Sequence, residues 1–223
     1  MLRIFSLCAT LGALGLVVSQ PARAGDERNV KGTYGFTLAE KCVQVGDPGF
    51  DPTTFKIPDP ANPQFGFPSA ITYGGASDGL MVFDGRGGVS IQQGRATNVM
   101  NAPEFLTPGM IPLGIGFGPA IPFTCVGNYT VSGREIAVNL TCSAAIAADN
   151  PANAGSTNPF TGFQSVFTME GFVPQNPFHL LLTDIGNTVQ KVTIFKQDMS
   201  TVIQNRICTR STTLDLVSNK NSR

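Results

Sequence analysis

The sequence predicts an all-β domain, an antiparallel β-barrel of eight or nine strands with a β-sandwich as the alternative, and three observations carry that prediction. Short runs of alternating apolar and polar residues, rich in Val, Thr, Tyr and Phe, recur between turn signals. Beyond the first residues, no stretch repeats its apolar positions at the helical period of about 3.6. The chain of 223 residues holds 25 Gly and 16 Pro and is only 13% charged, a composition that suits a turn-rich sheet better than a helical bundle.

The opening strand falls in residues 31–38 (KGTYGFTL), where Tyr34, Phe36 and Leu38 share one face. Residues 80–83 (LMVF) and 89–91 (VSI) flank a Gly-rich turn at 84–88, which makes a first hairpin. A second joins 129–131 to 136–140 around SGRE at 132–135. Residues 163–173 add a strand. A third hairpin is expected where 178–183 turns through DIGN at 184–187 into 189–195, and 201–214 closes the domain. Three long insertions, 46–70, 100–124 and 147–162, hold most of the prolines, which cannot donate to a ladder.

The first 24 residues read as an export leader. Arg3 supplies the positive start, an apolar run spans 4–18, and Ala22-Arg23-Ala24 offers the small-x-small pattern cleaved by signal peptidase. The run is too short for a comfortable membrane span, so residues 25–223 are expected as one periplasmic or secreted domain with no transmembrane segment. Losing Arg3 and Arg23 turns a balance of 15 basic and 15 acidic side chains into a formal charge of about −2. That excludes the basic field a nucleic-acid partner needs.

Cleavage also removes Cys8 and leaves Cys42, Cys125, Cys142 and Cys208, an even set in an oxidising compartment. With a four-residue loop in the second hairpin, Val131 faces Ile136, Tyr129 faces Val138, Gly127 faces Leu140 and Cys125 faces Cys142, all on one side. Opposed residues of an antiparallel pair come within disulfide range, so Cys125 bonds Cys142. Cys42 then pairs with Cys208 by elimination. Cys42 lies just after the opening strand and Cys208 within the closing one, so this bond ties the ends of the domain together, which favours a barrel over an open sandwich.

Two of the insertions are too apolar for solvated loops. Phe50, Phe55, Phe65, Phe67, Met110, Ile111, Leu113, Phe117 and Phe123 must lie against something. They either plug the domain's own core or form the mouth of a cavity for a small hydrophobic ligand, or a patch for a protein partner or membrane surface.

No catalytic, cofactor or metal site is predicted. Residues 75–79 (GASDG) match the G-x-S-x-G nucleophile pattern at Ser77, and His179 is the one available base. The context is wrong for a nucleophile elbow, which needs a strand before the serine and a helix after it, so 75–79 reads as a turn. His179 reads as a strand histidine beside Leu180 and Leu182. DGRGG at 84–88 offers one carboxylate, Asp84, where a calcium loop needs several, and Arg86 opposes a cation, so it reads as a hairpin turn. Asn128 and Asn139 begin sequons, but both lie in strands. An outer-membrane barrel is disfavoured because the predicted strands are short and rich in Gly, Thr and Ser.

The series GTYGF at 32–36, LMVFDGRGGV at 80–89 and CVGNYTV at 125–131 resembles exported proteobacterial β-barrel proteins of calycin-like type, comparable to lipocalins or the allene oxide cyclase barrel. The resemblance implies a small antiparallel barrel with Arg206 or Arg210 packing over Tyr34. The functional expectation is a non-enzymatic module for a small hydrophobic ligand. A surface or interaction protein is the alternative, and an esterase-like hydrolase using Ser77 and His179 the minor one.

Overall fold

A computed structural model describes residues 26–46, 49–50, 71–101, 120–148, 157–184 and 189–218. They form one antiparallel sheet of nine strands: β1 (Gly32–Gly46), β2 (Ile71–Phe83), β3 (Gly88–Asn101), β4 (Ile121–Ser132), β5 (Glu135–Ala145), β6 (Phe160–Phe172), β7 (His179–Asp184), β8 (Gln190–Lys196) and β9 (Thr201–Ser218). Neighbours follow chain order from β1 to β6, and β1 pairs with β9, so the sheet closes on itself in a barrel-like ring. Closure removes the unpaired edges that an open sheet exposes.

Nine strands occupy eight places, because β7 and β8 share the gap between β6 and β9. Both run antiparallel to both neighbours: β7 pairs Met169 with Asp184 and Thr183 with Ser211, while β8 pairs Ser165 with Val192 and Gln190 with Arg206. They are therefore one interrupted strand, and the expected third hairpin is corrected. The DIGN sequence is a local turn signal, yet Asp184 closes β7 with its side chain inside, where a hairpin tip would have put it in solvent.

The β4–β5 hairpin has the register expected from sequence, from Val131 opposite Ile136 to Cys125 opposite Cys142. Ser132 and Glu135 themselves pair, so the loop narrows to Gly133 and Arg134, with Gly133 at φ 63° as the first central residue of a type II′ turn requires. In β3 one extra residue bulges out. Gln92 and Gln93 are both exposed, and the inward positions change from Val89 and Ile91 to Gly94 and Ala96.

Most strands are longer than expected. The 75–79 segment is the middle of β2 and not a turn, and 100–101, 121–124 and 160–162 belong to strands rather than to insertions. The 75–79 and 100–101 stretches hold no β-branched residue, and 121–124 and 160–162 carry a Pro and a Gly, so their neighbours' ladders impose the conformation. With strands of 11 to 18 residues in β1 to β6 and β9, shortness no longer argues against a membrane barrel. The outward face is mixed: Thr37, Gln92, Thr124, Asn128, Asn139 and Ser211 are polar and exposed, and Val126, Val166, Phe172 and Leu181 are apolar and exposed.

The core fills one end of the ring. Tyr34, Phe83 and Tyr129 stack edge to face, with centroids 5.5 and 4.9 Å apart. Met81, Val131, Ile136, Val138, Leu140, Leu180, Leu182 and Leu214 surround them, all buried. A 3-10 turn, Asp26–Val30, lies at this end, with Val30 fully buried and the Tyr129 hydroxyl donating to the Glu27 carbonyl at 2.9 Å.

Candidate functional site

Toward the other end, the apolar filling gives way to a buried polar cluster. The β1–β9 seam sets it up, because inward rungs there run Phe36–Leu214, Leu38–Thr212, Glu40–Arg210, Cys42–Cys208 and Gln44–Arg206. Antiparallel pairing with a two-residue period places a charge pair one inward rung from a disulfide. Both bonds are formed, Cys42–Cys208 and Cys125–Cys142, with Cα separations of 4.1 and 4.0 Å. Glu40 lies close to the Cys42 and Cys208 sulfurs, but these are joined to each other and are not thiolate ligands for a metal.

Arg210 is the hub, only 3% exposed. Its Nε donates to Glu40 Oε2 at 2.8 Å and its Nη1 to Asp184 Oδ2 at 2.5 Å, while the guanidinium lies over the Phe167 ring, 5.0 Å from its centroid. Gln190 Nε2 donates to the same Asp184 oxygen at 3.0 Å, and Gln190 Oε1 accepts from Arg206 Nε at 3.2 Å. The interrupted strand explains the convergence: Asp184 ends β7, Gln190 begins β8, and both face in. Burial, the largest influence, raises the Asp184 carboxyl above its ordinary value against the opposing pull of Arg210, Gln190 and Arg206. Two buried polar atoms find no partner among the described residues of the cluster, Arg210 Nη2 and Asp184 Oδ1.

Beside this cluster lies a lumen cavity of about 70 Å³. Phe36, Leu38, Met81, Ile91, Phe123, Phe163, Phe167 and Met169 form its apolar lining, and Glu40, Ser77, Arg206, Arg210 and Thr212 add polar atoms. A broader groove of about 1170 Å³ crosses β1 to β5 around Thr37, Gln92, Gln93 and Thr124, where Arg95 is paired with Asp78 at 2.9 Å. The lumen combines apolar walls with converging polar groups, the usual composition of a small-molecule site.

Of the predicted mouth residues, Phe123 is a wall residue of β4 that lines the cavity, and Phe50 is buried next to Gly49, which closely approaches Asn205. Phe55, Phe65, Phe67, Met110, Ile111, Leu113 and Phe117 lie outside the described residues, as does the 1–24 leader. Ser77 lines the lumen, whereas His179 is on the outer face, its Nδ1 2.6 Å from Asp215 Oδ1. The wall separates the two, so they form no nucleophile–base pair. Neither Arg210, opposite Glu40, nor Arg206, opposite Gln44, packs over Tyr34 as the resemblance implied. Tyr34 has Leu216 as its β9 neighbour and Phe83 against its ring, three inward rungs from Glu40 and Arg210.

Sequence reasoning passed over Glu40, Asp184 and Gln190, yet one signal was present. Once Cys42 pairs with Cys208 in antiparallel strands, Glu40 must oppose Arg210 on the same face. Asp184 and Gln190 carry no such local mark.

No protein-family model, curated protein or solved structure matches the chain. Among the described residues, no helix is long and apolar enough to cross a membrane. The two disulfides belong to an oxidising, extracytoplasmic setting.

Proposed function

We propose that the chain is an exported, non-enzymatic binding protein that holds a small hydrophobic molecule in the lumen of a calycin-like ring. The observation that carries this reading is the cavity among Phe36, Phe123, Phe163 and Phe167, kept open beside a buried charge cluster instead of being filled like the opposite end. Close-packed interiors leave few voids larger than a water, so a chamber of about 70 Å³ next to polar groups calls for an occupant. The leader-like 1–24 segment and the disulfides support export. The closed antiparallel ring, with a 3-10 turn at one end and Tyr34 on its first strand, supports the calycin-like relationship.

Solvent extraction of protein purified from the exported fraction, followed by mass spectrometry, tests the reading. A small apolar compound at near-equimolar amount is expected. An extract that matches the buffer blank, together with no uptake of added small apolar probes, would overturn it.

One observation favours a second reading, an interaction protein. Phe172 and Leu181 face each other across β6 and β7 and are 69% and 48% exposed. Sedimentation decides between them: self-association abolished by Phe172→Ser would support the interaction role, and a monomer at all concentrations the binding role.

A further inference from the structure

Arg210 carries an unused donor, and its surroundings define what can use it. Glu40 takes Nε and Asp184 takes Nη1, whereas Nη2 is buried with no acceptor among the described residues. Buried donors are almost always satisfied in folded proteins. Arg210 also lines the cavity, beside Phe36, Phe123 and Phe167.

Resting on the reading of the lumen as a binding chamber, the geometry points to the ligand's chemical class: a small neutral molecule whose carbonyl oxygen accepts from Arg210 Nη2 while its apolar frame packs among those rings. Charge selects against an anion. Among the described residues, the charged groups at this place are Glu40 from β1, Asp184 from β7, and Arg206 and Arg210 from β9, two of each sign, while Gln190 from β8 and Ser165 from β6 add none. A further carboxylate would leave the buried cluster net negative, at a large desolvation cost. Burial already raises the Asp184 carboxyl despite its cationic neighbours, so the chamber resists the negative charge it now holds. A hydrocarbon, in turn, leaves Nη2 unsatisfied.

Size narrows the class. A cavity of about 70 Å³ is roughly half the volume of about 150 Å³ that accommodates benzene, so a compact molecule of few heavy atoms, or such a portion of a larger one, matches it in size, and a small shift of the side chains around the buried Nη2 brings the donor to its oxygen.

Acetone, acetate and isobutene share one shape and differ in the property at issue. The test is titration of the native, isotopically labelled protein with each, followed by NMR of the arginine side chains and the lumen methyl groups. No substitution is needed, which matters because variants of Arg210 risk unfolding the ring. Acetone is expected to bind at least about tenfold more tightly than either of the others and to shift an arginine resonance. Equal binding of acetone and isobutene would overturn the oxygen-selective assignment and leave the binding chamber standing. Preference for acetate would overturn it in favour of anion recognition. Failure of all three to shift any lumen resonance would overturn the assignment and the chamber together.

Discussion

Glu40 and Arg210 face each other across the seam that closes the ring, joined by a 2.8 Å hydrogen bond one inward rung from the Cys42–Cys208 disulfide. A charge pair, a covalent bond and the lumen cavity thus meet where the first and last strands join. Arg210 bonds Asp184 as well, so one guanidinium links β1 to the break between β7 and β8.

Removing that guanidinium alone strands two carboxylates in the interior. Arg210→Met should cost roughly 3–5 kcal/mol, the range for breaking a buried ion pair. The combined variant Glu40→Leu, Asp184→Leu, Arg210→Met should recover most of that loss. Urea denaturation measures both; a single variant as stable as the parent would refute the account of the cluster.

The two disulfides should contribute unequally. Cys42–Cys208 spans 166 residues and Cys125–Cys142 spans 17. Chain entropy assigns the longer loop about 5 kcal/mol and the shorter about 3. Paired Cys→Ser replacements compared by denaturant midpoint should show the seam bond as the greater loss, and equal losses would contradict the entropic ranking.

Alkaline pH should unfold the closed end. Burial, the largest cause in each case, pushes Tyr34 and Tyr129 up to about 12, with Tyr129 adding to the shift of Tyr34 and Asp84 to that of Tyr129. A folded-state value above the unfolded one of 10.0 means that stability is fully present below pH 10 and is lost as pH rises through about 12. Phenolate absorbance from two of the three tyrosines should therefore appear together with loss of the β-sheet signal. Titration of all three at ordinary values with the sheet intact would contradict this packing.

His179 should matter little. Its pair with Asp215 is mostly exposed on both sides, so His179→Ala should change stability by less than about 1 kcal/mol. Neither it nor Ser77→Ala should alter any hydrolysis detected in the preparation. Loss of such hydrolysis in both variants would revive the esterase reading.

The register of the β4–β5 hairpin was legible because three signals agreed: a Gly turn, an alternating apolar face and two cysteines at matching distances from the turn. The β7–β8 break was not. Its turn signal is local, whereas the force that keeps Asp184 inside is a bond to Arg210, 26 residues away. The full length of β2 was hidden for a related reason, since GGASDG has little strand preference and is held between β1 and β3. The cavity could not be read from sequence at all, because it depends on where Phe36, Phe123, Phe163 and Phe167 stand around a closed ring.

Crystallographic electron density in the lumen of the protein purified from its exported fraction tests the central claim most directly. The account predicts density for a small molecule between Phe36, Phe123 and Phe167, with an oxygen within about 3 Å of Arg210 Nη2. A lumen filled by the protein's own side chains, with Nη2 bonded to one of them, would contradict it.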